Sequence, residues 1–244
     1  MAAFGTQIWK KPVKLRLVNG AKFRRKRFFV FLLLEVSSMR MNHVAHCLLS
    51  FPDEELLVGN FIGDYVKGST WKRYPEAIQK GILLHRFIDA FSDTHPALQR
   101  STRRLRPLAG RFAAPIVDIL YDHLLCRLWE QVVGGLPFEH FAAWVYGALN
   151  EAQCWMPEAL QRRWPDMMAG RFLHLYRSME GLSWTLERFS RRLPGTTNWQ
   201  EWMLLFSIHT ADFTADFSVF YPELNGEVAL WRRRHGLEEE RNKE

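Results

Sequence analysis

The run Ala113-Ala114-Pro115-Ile116-Val117-Asp118-Ile119-Leu120-Tyr121-Asp122-His123-Leu124-Leu125-Cys126-Arg127 decides the fold class. Ile116, Ile119, Leu120, Leu124 and Leu128 recur at the period of an α-helix. The spacing predicts a helix from Ala113 to Val133, stopped by Gly134-Gly135. Upstream, Pro75 precedes Glu76-Ala77-Ile78, and Ile82, Leu83, Phe87, Ile88 and Phe91 follow at helical spacing. Proline at a first turn ahead of an apolar stripe predicts a second helix there. Downstream, Pro137 opens a helix through Phe141, Val145 and Leu149, and Pro157 to Trp164 is a short one. Arg171 to Leu193 reads as a longer helix with its break at Gly181. Asn198 is placed to cap a helix running to Phe220, and Pro222 to His235 is the last. Alternating strand patterns are scarce, so the class is all-α, a single helical domain.

The composition sets limits on function. In 244 residues, 48% apolar content is ample for a packed core, and 24% charged with 14% aromatic residues excludes a disordered chain. The longest apolar run, Phe28 to Leu34, is seven residues. A bilayer needs roughly 20, so stable membrane insertion is not expected. Cys47, Cys126 and Cys154 form no CxxC pair, which excludes a zinc ribbon and a disulfide framework and suits a reducing, cytoplasmic setting.

The net charge of +7 is unevenly placed. Residues 1–40 hold ten Lys or Arg against one acid, Glu35, while the remaining 204 residues carry 23 bases and 25 acids. A nucleic-acid partner is therefore not expected for the body of the chain. Residues 1–40 form a basic extension. Lys22 to Leu34 mimics the start of a secretory signal but meets Glu35 and no cleavage pattern, and a membrane-surface helix is a second reading. The abrupt change at Met41 favours a third, translation assigned from too far upstream. The helical domain is expected over 41–236, followed by a charged tail at 237–244.

Five of nine histidines fall between residues 43 and 123. His85 and Asp89 are one helical turn apart, as are Asp118 and Asp122, and His123 follows directly. His46 and Asp64 lie just upstream. Histidines and carboxylates converging from different helices can hold a hard or borderline divalent cation. Each piece alone has an ordinary use. A His–Asp pair is usually a surface pair or a satisfied core histidine, and Asp64 could cap a helix. Asp89, Asp118 and Asp122, however, are embedded in Leu, Ile and Phe stripes, where acids need a partner or a metal. Arg100, Arg103, Arg104, Arg106 and Arg111 form a basic run with no acid among them. Such a run is most often a solvated face, and its functional reading is a docking patch for an acidic partner or a phosphate clamp. No GxGxxG, Walker A, GxSxG or HExxH motif is present.

Asn42-His43-Val44-Ala45-His46, Gly59-Asn60-Phe61-Ile62-Gly63-Asp64-Tyr65-Val66-Lys67-Gly68, Gly81-Ile82-Leu83-Leu84-His85-Arg86-Phe87-Ile88-Asp89 with Asp93, and Ala114 to His123 occur in that order. Together they resemble the acyl-carrier-protein phosphodiesterase family, from Met41 and more weakly to about Pro222. The resemblance implies a divergent relative of the HD-type metal phosphohydrolases. It implies hydrolysis of the phosphodiester joining 4′-phosphopantetheine to a serine of holo acyl carrier protein, activated by Mn²⁺, with Mg²⁺ or Fe²⁺ as other candidates. The doublet Asp122-His123 reverses the HD order, so ligand roles do not carry over by sequence order. The resemblance makes His46, Asp64, His85, Asp122 and His123 metal-ligand candidates. Asp64, Arg86, Asp89 and Asp118 are the candidate catalytic residues, with Arg86 balancing charge on the phosphoryl oxygens. Asp89 and Asp118 could each serve as a further ligand, an orienting group or a base. The acidic carrier protein would dock on Arg100, Arg103, Arg104, Arg106 and Arg111. On this reading Asp122→Ala removes turnover and leaves the fold intact, and reversing the charges of Arg103 and Arg104 raises KM. The alternatives are a metal phosphohydrolase acting on a nucleotide or other small phosphodiester, and a non-catalytic helical interaction module.

Overall fold

A helix that is apolar on every face must be buried on every face. In the computed structural model, which describes residues 43–194 and 198–237, every side chain from Ile116 to Cys126 is buried. The expectations placed on residues 1–40 and 238–244 lie outside the described residues. The described chain runs α1 (His43–Leu48), α2 (Glu54–Ile62), α3 (Glu76–Thr94), α4 (Pro96–Ala109), α5 (Ala113–Arg127), α6 (Trp129–Val132) and α7 (Phe138–Glu151). It continues through α8 (Glu158–Gln161), α9 (Trp164–Ala169), α10 (Met179–Ser190), α11 (Trp199–Ile208) and α12 (Thr210–Arg234). No strand occurs among the described residues. The central helix α5 packs against α1, α4, α10, α12 and a 3₁₀ turn at Phe172–Arg177.

The closest helix pair is α2 with α3. A Cβ at Gly59 would lie 2.1 Å from the Ile78 carbonyl oxygen, and one at Gly81 would lie 2.3 Å from that of Leu56. The two backbones touch where the glycines face each other. Any side chain there would force the helices apart, and α3 and the turn that follows α2 carry most of the candidate site.

Several boundaries differ from expectation, each for a local reason. The helix through Asp122 ends at Arg127, not Val133. Leu128 leaves helical geometry, and the Trp129 indole N–H donates to the Leu136 carbonyl at 2.7 Å while its ring packs on Phe138 and Phe141. Gly181 does not break its helix. The break is at Ser178, whose hydroxyl caps α10 by accepting from the Gly181 N–H at 3.1 Å. Gly181 is needed because a Cβ would lie 2.1 Å from the Leu175 carbonyl oxygen. The helix begun at Trp199 stops at Ile208, and Pro222 lies inside α12 rather than opening a new helix. An internal proline costs ~3 kcal/mol, which the buried stripe Phe217, Phe220, Tyr221, Leu224, Val228 and Trp231 offsets. Helix α4 was not expected at all. It is capped by His95, whose Nδ1 accepts from the Ala97 N–H at 3.2 Å, and it buries Leu98, Ser101, Leu105 and Ala109 beneath its arginines.

Candidate metal centre

The candidate site is assembled from α1, the turn after α2, and α3. His46 projects from α1, Asp64 from the 3₁₀ turn Gly63–Tyr65, and His85 and Asp89 from successive turns of α3. His85 Nε2 lies 3.5 Å from Asp64 Oδ1 and 3.5 Å from Asp89 Oδ2, and His46 Nε2 lies 3.7 Å from Asp89 Oδ1. The two imidazole centroids are 4.5 Å apart. Both histidines are buried and both acids are half-buried.

Local packing sets these side chains. Gly63 leaves room for His85: a Cβ there would fall 2.3 Å from the ring atom Cγ. Asn60 sets His46. Its amide nitrogen donates to the His46 carbonyl and to the Ser50 hydroxyl, both at 2.9 Å, so its oxygen is the atom facing His46 Nδ1 at 2.6 Å. An amide oxygen only accepts, so Nδ1 carries a proton and Nε2 is the ring nitrogen that faces Asp89. Burial alone would push His85 down, but its hydrogen bond to Asp64 and the charges of Asp89 and Asp64 outweigh burial and raise it above 6.5.

The donor chemistry fits a divalent cation. Among the described residues, Asp64, His85 and Asp89 each offer a ligand atom, and these atoms all lie within 4.8 Å of one another. Two carboxylates and an imidazole suit Mn²⁺, Fe²⁺, Zn²⁺ or Mg²⁺. His46, in the tautomer imposed by Asn60, adds a second imidazole beside them.

The structure gives the acids of α5 other surroundings. Both Asp122 oxygens accept backbone N–H groups, from Val44 and Ala45, each at 2.9 Å across 77 to 78 residues of sequence. Asp122 thereby holds the first turn of the helix that presents His46. Burial raises its pKa, and the two N–H donors pull the other way. It is not among the clustered donors, and its loss would disturb the fold as well as the site. His123 Nδ1 contacts the Tyr176 carbonyl at 2.8 Å and its ring meets Phe206, on a different face of α5. Asp118 lines a small cavity with Ser92, Tyr121 and Tyr221, between α3, α5 and α12. The i,i+4 spacing correctly put Asp118 and Asp122 close together, but it carried no information about which way that face turns.

The arginines are also divided. Arg86 Nη2 donates to the carbonyls of Val66 and Gly68 at 3.2 and 3.0 Å, so it shapes the loop after Asp64. Arg100 Nε donates to Asp216 Oδ1 at 2.7 Å, and Arg104 donates to Asp216 Oδ2. The Ser101 hydroxyl joins them at 3.1 Å. These arginines tie α4 to α12. Arg103, Arg106 and Arg111 are exposed.

Sequence reasoning missed Asn60 as an orienting group, although it lies inside a quoted motif. It also missed an open cleft beside the cluster, about 80 Å³ in volume, lined by His43, Arg163, Trp184, Arg188 and Arg192 among others. No spacing signal joins Arg163 to Arg188 and Arg192, because only the tertiary fold brings them together.

An all-helical domain with a pair of acids and a pair of histidines meeting near its first three helices is the class that the fold and site define. A family model described as acyl carrier protein phosphodiesterase matches residues 41–224, and the chain belongs to that family. A relative from Enterobacter sp. (strain 638), named acyl carrier protein phosphodiesterase, is 27% identical over 188 residues, covering 75% of this chain and 95% of that protein. Relatives of the same name from Salmonella dublin and Salmonella agona are each 25% identical over 189 residues, covering 78% of this chain and 98% of theirs. No solved structure matches the chain.

Proposed function

We propose that this chain is a metal-dependent phosphodiesterase that releases 4′-phosphopantetheine from holo acyl carrier protein, leaving the carrier's serine free. The observation that carries the reading is the Asp64–His85–Asp89 donor set in a chain of this family. Kinship with HD-type phosphohydrolases is part of the proposal and rests on the same donor set.

Asp64, His85 and Asp89 would hold the ion, with His46 beside them. A divalent ion, when bound, supplies an activated water and neutralises charge on a phosphoryl oxygen. The rest is the work of the chain. Asn60 keeps His46 Nε2 turned inward. Asp89 faces both histidines and fixes their spacing. Arg86 holds the Val66–Gly68 loop and so the approach to Asp64. Burial holds His43 down at about 4, so it stays neutral near Asp64 and adds no charge there. The exposed Arg103, Arg106 and Arg111 offer a basic surface to an acidic carrier protein.

The test incubates the full chain and Mn²⁺ with holo acyl carrier protein and follows the carrier by intact mass. Conversion to the apo mass, stopped by EDTA, is the expected result. A folded, metal-loaded protein that cleaves small phosphodiesters and leaves the carrier untouched would move the substrate to another class.

A further inference from the structure

The cleft beside the metal centre concentrates positive charge that the rest of the fold does not use. Arg163, Arg188 and Arg192 all line it. Among the described residues none of the three is ion-paired with a carboxylate. Their other contacts are slight: Arg163 Nη1 donates to the Tyr65 hydroxyl at 3.1 Å, and the Arg188 guanidinium lies 4.4 Å from the Trp184 ring centroid. Arg192 is half-buried, and burial and the charges of Arg163 and Arg188 together lower its pKa. Three like charges gathered in one cleft repel one another, and an anion relieves that repulsion. The one acid on the cleft wall, Asp166, is exposed and leaves the balance positive.

The cleft adjoins the proposed centre. His43, one turn before His46, lines it, and Tyr65, the neighbour of Asp64, receives the Arg163 hydrogen bond. The remaining wall is mostly apolar, with Phe172, Leu175, Met167 and the half-exposed Trp184, and it also includes Tyr176 and Thr185. Arg188 lies over the Trp184 ring, so that ring face is covered and does not offer an open stacking platform for a planar base.

We propose that the Arg163–Arg188–Arg192 cleft binds the 4′-phosphopantetheine arm, the arginines sharing its single, scissile phosphate with the adjoining metal centre and its chain lying along the Trp184–Leu175–Phe172 wall. This rests on the phosphodiesterase reading. A phosphomonoester carries more negative charge than the diester it comes from. The released product therefore binds more tightly than the arm still attached to its carrier, and it inhibits turnover.

The experiment titrates the whole Mn²⁺-loaded chain with 4′-phosphopantetheine, with pantetheine and with inorganic phosphate, by calorimetry. It uses wild type, Arg188→Glu, Arg192→Glu and Trp184→Ala. Arg188 and Trp184 are exposed, so their variants are expected to fold even if Arg192→Glu does not. Each arginine reversal should weaken 4′-phosphopantetheine by about tenfold or more, the worth of a charge-assisted hydrogen bond. It should also raise KM for holo acyl carrier protein, with Mn²⁺ affinity unchanged and, for Arg188→Glu, no loss of melting temperature. Trp184→Ala should weaken 4′-phosphopantetheine and pantetheine alike. Wild-type affinity for 4′-phosphopantetheine in a folded Arg188→Glu protein would overturn the proposal, as would inorganic phosphate binding as tightly as 4′-phosphopantetheine. If wild type cleaves holo carrier protein and these variants do so with unchanged KM, the cleft assignment fails and the phosphodiesterase reading stands. Arginine-dependent binding by a wild-type protein that cannot cleave the carrier would keep the cleft and remove the reading.

Discussion

His85 is the residue whose chemistry responds most directly to pH. Its partners Asp64 and Asp89 hold its pKa above the ordinary 6.5, and a protonated ring cannot ligate a metal. Mn²⁺ affinity should therefore be weak at about pH 6 and rise as pH passes the raised value, levelling off above it. Electron paramagnetic resonance of free Mn²⁺ checks this, and an affinity flat with pH would count against His85 as a ligand. Asp122 acts at the same scale by different means. Removing its carboxylate frees two buried N–H groups at the start of α1. Asp122→Ala should cost about 1–2 kcal/mol in urea unfolding, the usual worth of a helix cap, and lower Mn²⁺ affinity by loosening His46. This revises the expectation of a lost activity with an intact fold. The histidine and acid types were legible in the sequence. The direction of the α5 acids was not, because their surroundings include backbone 78 residues away.

At the scale of elements, the glycines of α2 and α3 separate packing from chemistry. Gly59→Ala and Gly81→Ala each drive a methyl into opposing backbone, and should cost about 3 kcal/mol or more of stability. Gly63→Ala meets the His85 ring instead, so it should reduce Mn²⁺ affinity more than it reduces the melting temperature. The quoted motifs contained all three glycines, but the reason for each lies in the partner helix. Helix α4 shows the converse limit. Its arginine run concealed its apolar stripe, and two of its arginines, Arg100 and Arg104, bind Asp216 on α12. Burial would raise the Asp216 pKa, but the hydrogen bonds from Arg104 and Arg100 outweigh it and hold the carboxyl below 3.8. A depressed folded value stabilises above the ordinary pKa, and that contribution is lost as pH falls through the folded one. Asp216→Asn should therefore lose about 1–3 kcal/mol at neutral pH, the range for hydrogen bonds to charged groups. It should also show a shallower decline than wild type below about pH 4.

For the whole molecule, the apolar stripes made an all-helical fold legible, and a stripe on all sides of α5 is the reason it lies at the centre. The ordered motifs were legible as a family pattern, and three of the four meet in the cluster of His46, Asp64, His85 and Asp89. The fourth, on α5, supports the start of α1 from within the core. Arg100 and Arg104 are tied to Asp216, so Arg103, Arg106 and Arg111 are what remains of the proposed docking surface. Arg103→Glu with Arg106→Glu should raise KM for holo carrier protein and leave stability unchanged, and unchanged KM would move the docking face elsewhere.

The central claim is that Asp64, His85 and Asp89 hold the ion on which phosphodiester cleavage depends. The measurement that tests it most directly is turnover of holo acyl carrier protein by the EDTA-stripped full chain as Mn²⁺ is returned, for wild type and Asp64→Asn. The account predicts no turnover without metal, saturable recovery in wild type, and a metal requirement raised by about tenfold or more in Asp64→Asn. Full turnover by the stripped protein, or a wild-type metal response in folded Asp64→Asn, would contradict it.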